Sequence, residues 1–81
     1  MTKIQSISQL KKEACKESGF DGFIALGDGN IRSSKQIFYN QDDDTYTIFH
    51  GIDGSEGVLT EEELTLSNIG IAIKNNRLYK Y

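Results

Sequence analysis

His50 is the only histidine of this chain, and Cys15 is its only cysteine. A histidine beside a cysteine, or beside an aspartate such as Asp53, is the residue set of a small hydrolase or a metal-dependent enzyme. Catalysis also needs the nucleophile within hydrogen-bond reach of the base, and no spacing in this sequence enforces that contact. We therefore expect neither an enzyme nor a cofactor, with His50 as a half-buried strand residue and Cys15 as a helix residue.

Carboxylates are the most concentrated polar groups of the chain. The stretch 40–66 contains eight acidic residues and no lysine or arginine, whereas the segments on either side are net basic. The eight are Asp42, Asp43, Asp44, Asp53, Glu56, Glu61, Glu62 and Glu63. Strand-like residues interrupt the alternating ligand spacing of a calcium loop, so we expect no metal site.

This charge asymmetry favours a function in binding. The leading hypothesis is a non-enzymatic binding or regulatory module whose acidic residues meet on one surface and contact a basic site of a protein partner. An alternative is an acidic inhibitor that imitates nucleic acid in the groove of a nucleic-acid-binding protein. A simpler interpretation is that the same charges only keep separate turns solvated.

The C-terminal segment has the composition of a surface for single-stranded nucleic acid, because Lys74, Arg77 and Lys80 alternate with Tyr79 and Tyr81. Three cations are few for a chain of net charge −3, since affinity for nucleic acid grows with each phosphate contacted. We expect instead a terminal strand that packs one aromatic face inward, and no nucleic-acid partner.

The totals of the sequence predict one domain spanning residues 1–81, because 81 residues allow only one small core. No apolar run approaches the roughly 18 residues of a membrane span, so we expect no membrane contact. With one cysteine and no apolar leader at the first residues, the expected location is the cytoplasm.

Helix and strand signals are clearest in the first two-thirds of the chain. Ser6 begins a capping pattern for a helix from Ile7 to Ser18, which Gly19 would end. Short strands are predicted at 23–26 and 35–39, and Thr45 to Ile52 alternates in polarity as the second strand of a hairpin closed by the acidic loop.

The last third contains one strong signal and one ambiguous one. Thr60 with Glu63 forms a capping box for a short acidic helix near 60–66. From Ile69 to Ile73 the isoleucines alternate with one glycine and one alanine, a pattern that favours a strand. Ser67 could instead cap a helix over the same residues. A turn at 75–76 would then lead into the C-terminal strand.

These elements predict an α+β fold in which the N-terminal helix packs on an antiparallel sheet of four or five short strands. The C-terminal strand would be an open edge, available for homo-oligomer formation. The expected core is Ile7, Leu10, Phe23, Ile24, Leu26, Ile37, Phe38, Ile48, Phe49, Leu64, Ile69, Ile71, Ile73 and Leu78.

Overall fold

The computed structural model describes residues 2–26, 32–51 and 54–81. These residues form β1 (Thr2–Lys3), α1 (Ile7–Ala14), β2 (Phe20–Ala25), β3 (Arg32–Asn40), β4 (Thr45–His50), β5 (Glu56–Thr60), α2 (Glu61–Leu66), α3 (Asn68–Lys74) and β6 (Leu78–Lys80). Each of these three helices is too short to cross a membrane.

All described strands belong to one antiparallel sheet, in the order β1-β6-β2-β3-β4-β5. The α+β class is confirmed, but the sheet has six strands within the described residues rather than four or five. The unexpected strands are β1 and β5, which form its two edges. Because β1 pairs with β6, the C-terminal strand lies inside the sheet, and the prediction that it forms an open edge is wrong.

The helices cover one face of this sheet. Phe20 lies opposite Ile37, and Ile37 lies opposite Ile48, so these three side chains project from the same face. They join helix side chains in one buried cluster, whose members are Ile4, Leu10, Ala14, Phe20, Ile24, Ile37, Tyr46, Ile48, Leu64, Ile69, Ala72, Ile73 and Leu78. We call this side the covered face and the opposite side the open face.

Five side chains that were expected in the core are exposed or only partly buried. Leu26 is 40% exposed and Ile71 is 50% exposed, and Ile7 is only partly buried against the cluster. Phe38 and Phe49 are half-buried on the open face, because strand side chains alternate between faces. Core residues that the prediction missed are Ile4, Ala14, Phe20, Tyr46 and Ala72.

Helix α1 begins as expected and ends early. The Ser6 hydroxyl accepts a hydrogen bond from the Gln9 amide at 3.1 Å. The helix stops at Ala14 rather than Ser18, with Cys15 as its C-cap. The reason lies in β2, which starts at the fully buried Phe20, so the preceding residues must form a turn that Gly19 closes at φ +67°.

The hairpin of β3 and β4 is confirmed. Tyr39 pairs with Tyr46 and Asn40 with Thr45, which leaves Gln41 and the three aspartates 42–44 as the connecting turn. Asp44 takes φ 59°, a conformation that Asp tolerates in turns. Ile52, which was expected to extend β4, lies outside the described residues.

The capping box of α2 is also confirmed. The Thr60 hydroxyl accepts from the Glu63 amide at 3.2 Å, and the Glu63 carboxylate accepts from the Thr60 amide at 2.9 Å. These bonds satisfy amides that have no partner inside the helix, and Leu64 then enters the core.

The favoured strand at Ile69 to Ile73 is wrong, because this segment belongs to α3. Ser67 ends α2 by donating its amide to the Leu64 carbonyl and begins α3 by accepting from the Ile69 amide. Ile69, Ala72 and Ile73 are buried, a helical spacing that the alternation of isoleucines concealed. Packing against α2 therefore outweighs the β-branched composition.

Two glycine-to-alanine substitutions should have opposite effects on stability. Alanine normally stabilises a helix by about 1 kcal/mol over glycine, but a Cβ at Gly70 would collide with the Thr65 carbonyl oxygen. We expect Gly70→Ala to lower the free energy of unfolding by about 1–3 kcal/mol. At Gly57 in β5 a Cβ meets nothing within 4 Å. We therefore expect Gly57→Ala to raise the free energy of unfolding by about 0.4–1 kcal/mol. Urea midpoints measure both, and a Gly70→Ala protein as stable as the parent would contradict the close approach of α2 and α3.

Candidate functional site

Six of the predicted acidic residues lie at one end of the sheet. Asn40 pairs with Thr45, and Thr45 pairs with Thr60, so the β3–β4 turn lies beside the start of α2. The carboxylates brought to this end, which we call the acidic end, are those of Asp42, Asp43, Asp44, Glu61, Glu62 and Glu63. Pairing of β4 with β5 thus joins two segments that are separated in sequence.

The other two predicted residues are not part of the acidic end. Glu56 lies opposite Phe49, four residues along β5 from Thr60, or about 13 Å at the usual rise of a strand. Asp53 lies outside the described residues.

Lys11 of α1 enters the acidic end. Its Nζ lies 3.8 Å from Asp44 Oδ1, 3.9 Å from Glu61 Oε1 and 4.7 Å from the centre of the Tyr39 ring. Hydrogen bonding with Tyr39, followed by the charges of Asp44 and Glu61, raises the pKa of the Lys11 ammonium. Because both ion pairs are exposed to solvent, they contribute little to stability.

Two tyrosines hold the same two carboxylates. The Tyr39 hydroxyl donates to Asp44, and the fully buried Tyr46 donates to Glu61 Oε1 at 3.1 Å. The bond to Asp44 raises the pKa of Tyr39, whereas burial and then the bond to Glu61 raise the pKa of Tyr46. Asp44 and Glu61 are therefore fixed to the body of the protein.

The remaining carboxylates differ in their freedom. Asp43 accepts from the Thr45 hydroxyl at 2.6 Å, and Glu63 is engaged in the capping box. Asp42 and Glu62 are exposed and make no hydrogen bond or ion pair with the described part of the chain. These two charges are the ones most available to another molecule.

The open face carries a second feature that the sequence reasoning missed. Phe38 and Phe49 meet edge to face at 6.1 Å between ring centres. Through the pairing with Thr47, Phe38 is aligned with Val58, whose side chain is 57% exposed. An antiparallel sheet with one uncovered face usually presents polar residues there, so two half-buried aromatic rings beside an exposed valine are the informative exception.

The C-terminal tyrosines extend this face. Tyr79 stacks on the buried Phe23 at 5.5 Å between ring centres, and Tyr81 lies 5.0 Å from the same ring, so these tyrosines pack on the open face and not in the cluster beneath the helices. Lys80 points to the covered face, where its Nζ lies 2.9 Å from Glu13 Oε1. The rings and this cation therefore occupy different faces of the sheet.

His50 and Cys15 are far apart. His50 is paired with Lys35, and its Nδ1 lies 2.6 Å from Lys35 Nζ. Cys15 Sγ lies 3.7 Å from the Gln41 side chain, just past the end of β3, and about 17 Å of strand separates Lys35 from Asn40 at that end. Among the described residues, no group of three His, Cys, Asp or Glu side chains is arranged to hold a metal ion.

Comparison of the chain with models of protein families, with curated proteins and with solved structures found no match.

Replacing Tyr46 by Phe should make stability less sensitive to alkaline pH. A phenol whose pKa is raised by folding stabilises the protein fully below the unfolded value of 10.0, and this contribution is lost as the pH rises further. Above that pH the free energy of unfolding of the parent should fall more steeply than that of Tyr46→Phe, by up to about 1.4 kcal/mol per pH unit. Urea unfolding across the range measures this difference, and parallel curves would mean that the phenol is not protected by burial and Glu61.

Proposed function

We propose that this chain is a non-enzymatic binding module that acts by contact with another protein. The contact has an apolar centre formed by Phe38, Phe49 and Val58 on the open face. Its rim is formed by the acidic end together with Glu56. We call these residues the docking surface.

One observation supports this function best, namely that the exposed Val58 and the half-buried rings of Phe38 and Phe49 adjoin the acidic end. Phe38 is two residues from Asn40, and Val58 is two residues from Thr60, so about 7 Å of strand separates the apolar centre from the acidic rim. Glu56 borders the same centre because it lies opposite Phe49. Protein interfaces have this anatomy, with aromatic groups at the centre and charge at the rim.

The charge of the rim indicates the chemistry of the partner. Asp42 and Glu62 make no described contact, so a basic site on the partner can pair with them without breaking bonds within this chain. Rim charges of this kind act mainly by speeding association and excluding wrong partners. We therefore expect a protein whose apolar contact is bordered by Lys and Arg.

The non-enzymatic part of the proposal is supported by the separation of His50 from Cys15. A nucleophile and a base separated by about 17 Å of strand do not form a catalytic pair. His50 instead contacts Lys35 on the covered face, away from the docking surface.

Neutralising the two free carboxylates should weaken binding to the partner. Once a partner has been captured from the native host, we expect the Asp42→Asn/Glu62→Gln protein to bind it about two- to tenfold more weakly at low salt, since each rim charge contributes up to about 1 kcal/mol. The affinity of the parent should also fall between about 50 and 300 mM salt. Titration calorimetry or surface plasmon resonance measures both effects.

A matched control keeps the charges and changes only the side-chain lengths. The Asp42→Glu/Glu62→Asp protein should bind like the parent. Equal affinity of all three proteins, or an affinity insensitive to salt, would remove the acidic rim from the interface. If DNA or RNA competes with this chain for the partner, the module is an inhibitor that imitates nucleic acid.

A cation placed at the apolar centre should abolish binding. Val58→Arg puts a charge opposite the basic partner, and we expect a loss of affinity of more than about tenfold. Leu66→Arg is the control, because Leu66 is 75% exposed but lies on α2 at the covered side. Equal losses for both variants, or none for Val58→Arg, would place the interface elsewhere.

A further inference from the structure

A cleft on the covered face lies between α3 and the strands β2 and β3. Its volume is about 330 Å³, at the lower end of the range of small-molecule sites. Ser33 and Lys35 line it from β3, and Asn68 and Asn75 line it from the two ends of α3. The cleft is separate from the docking surface, which lies on the open face and at the acidic end.

Lys35 is the most unusual residue of this cleft. Its side chain projects from the middle of the sheet and is only 8% exposed, although lysine is rarely buried to this extent. Its Nζ lies 2.6 Å from His50 Nδ1, within hydrogen-bonding distance. Lys35 and His50 also line a smaller adjoining cavity of about 120 Å³.

The polar lining of the cleft favours an anion. Arg77 contributes a second cation beside Lys35, and the described lining contains no carboxylate. Asn68, Asn75 and Ser33 add side chains that can donate hydrogen bonds. The described lining therefore combines two basic side chains with three side chains that can donate hydrogen bonds.

The remaining lining is apolar and partly exposed. Leu26 is 40% exposed and Ile71 is 50% exposed, and both line the cleft together with Ile24 and Ala72. A ligand with an apolar body would cover the two exposed side chains while its charged end meets the cations. A site for a small molecule is usually a mostly apolar cleft that contains a few polar groups.

We propose that this cleft binds a small organic anion, a carboxylate or a phosphate monoester with an apolar body. The anionic group contacts Lys35 and Arg77, the latter through the paired donors of its guanidinium group. The apolar body lies against Leu26 and Ile71. Binding at this site is independent of the protein contact proposed for the docking surface.

Four small probes test the two halves of this site. We expect benzoate and phenyl phosphate to shift the backbone amide NMR signals of Ser33, Asn68 and Ile71 in a saturable manner. Inorganic phosphate has the charge without the apolar body, and phenol has the ring without the charge, so each should bind about tenfold more weakly or worse. Absence of saturable shifts at the cleft, or phenol binding as tightly as benzoate, would overturn the assignment.

Matched variants distinguish a specific site from a general attraction to positive charge. Lys35→Met should reduce benzoate affinity about tenfold or more, since a buried charged donor is removed. Arg77→Gln keeps the backbone hydrogen bonds of residue 77 with Ala72 and Ala25, so this variant should fold. It therefore tests the site even if the Lys35→Met protein does not fold. We expect a severalfold loss for Arg77→Gln.

Lys74→Gln removes an exposed cation of α3 that does not line this cleft, and its affinity for benzoate should equal that of the parent. Equal effects of Arg77→Gln and Lys74→Gln would overturn the specific site. A loss confined to Arg77→Gln and Lys35→Met would support it.

Discussion

The alternation of side chains along β3 and β4 is the constraint on which the rest of this structure depends. The described helices contain six to eight residues each, which is too short for stability in isolation, so each requires burial against the sheet. The sheet supplies that surface through Ile37, Tyr46 and Ile48, which must all project from one face. The same period of two places Phe38 and Phe49 on the other face, where the described helices do not cover them. Full burial on one side and half-buried aromatic rings on the other are therefore consequences of one strand pattern.

Tyr46 links this constraint to the acidic end. Its ring is fully buried in the core, while its hydroxyl reaches Glu61 at the start of α2. A buried hydroxyl without a partner would cost about 1–3 kcal/mol, so the bond makes the position of Glu61 part of the folding energy. Tyr39, paired with Tyr46 on the same face, holds Asp44 in the same way. The acidic end is thus built from charges held by the core and from free charges such as Asp42 and Glu62.

Local signals in the sequence predicted the elements whose causes are local. The Ser6 cap, the hairpin at Asp42 to Asp44 and the capping box at Thr60 each depend on neighbouring residues, and each is confirmed. The errors arise where distant contacts decide. β1 is two residues long and exists because of its pairing with β6, and β5 depends on its pairing with β4.

The last third of the chain shows the same limit in one segment. Ile69, Ile71 and Ile73 alternate like a strand, but Gly70 allows α3 to lie closely against the end of α2. That close approach is a tertiary contact, which the composition of the segment does not encode. The adjacency of the acidic segments could be inferred only after β5 was known, because pairing of β4 with β5 creates it. The cleft was equally hidden, since a lysine in an alternating strand usually predicts an exposed face rather than a buried cation.

The two proposed sites share β3 without sharing side chains. Lys35 projects into the cleft on the covered face, whereas Phe38, three residues further along β3, lies on the open face. A substitution at either position removes atoms from one face only, because neighbouring strand residues point in opposite directions. Any coupling between a bound anion and a bound protein must then pass through the backbone of β3 and its pairing with β4. Ligands that merely fill their own sites would leave each other's affinity unchanged, whereas a ligand that stiffens this strand would change the other's affinity by the same factor in both directions.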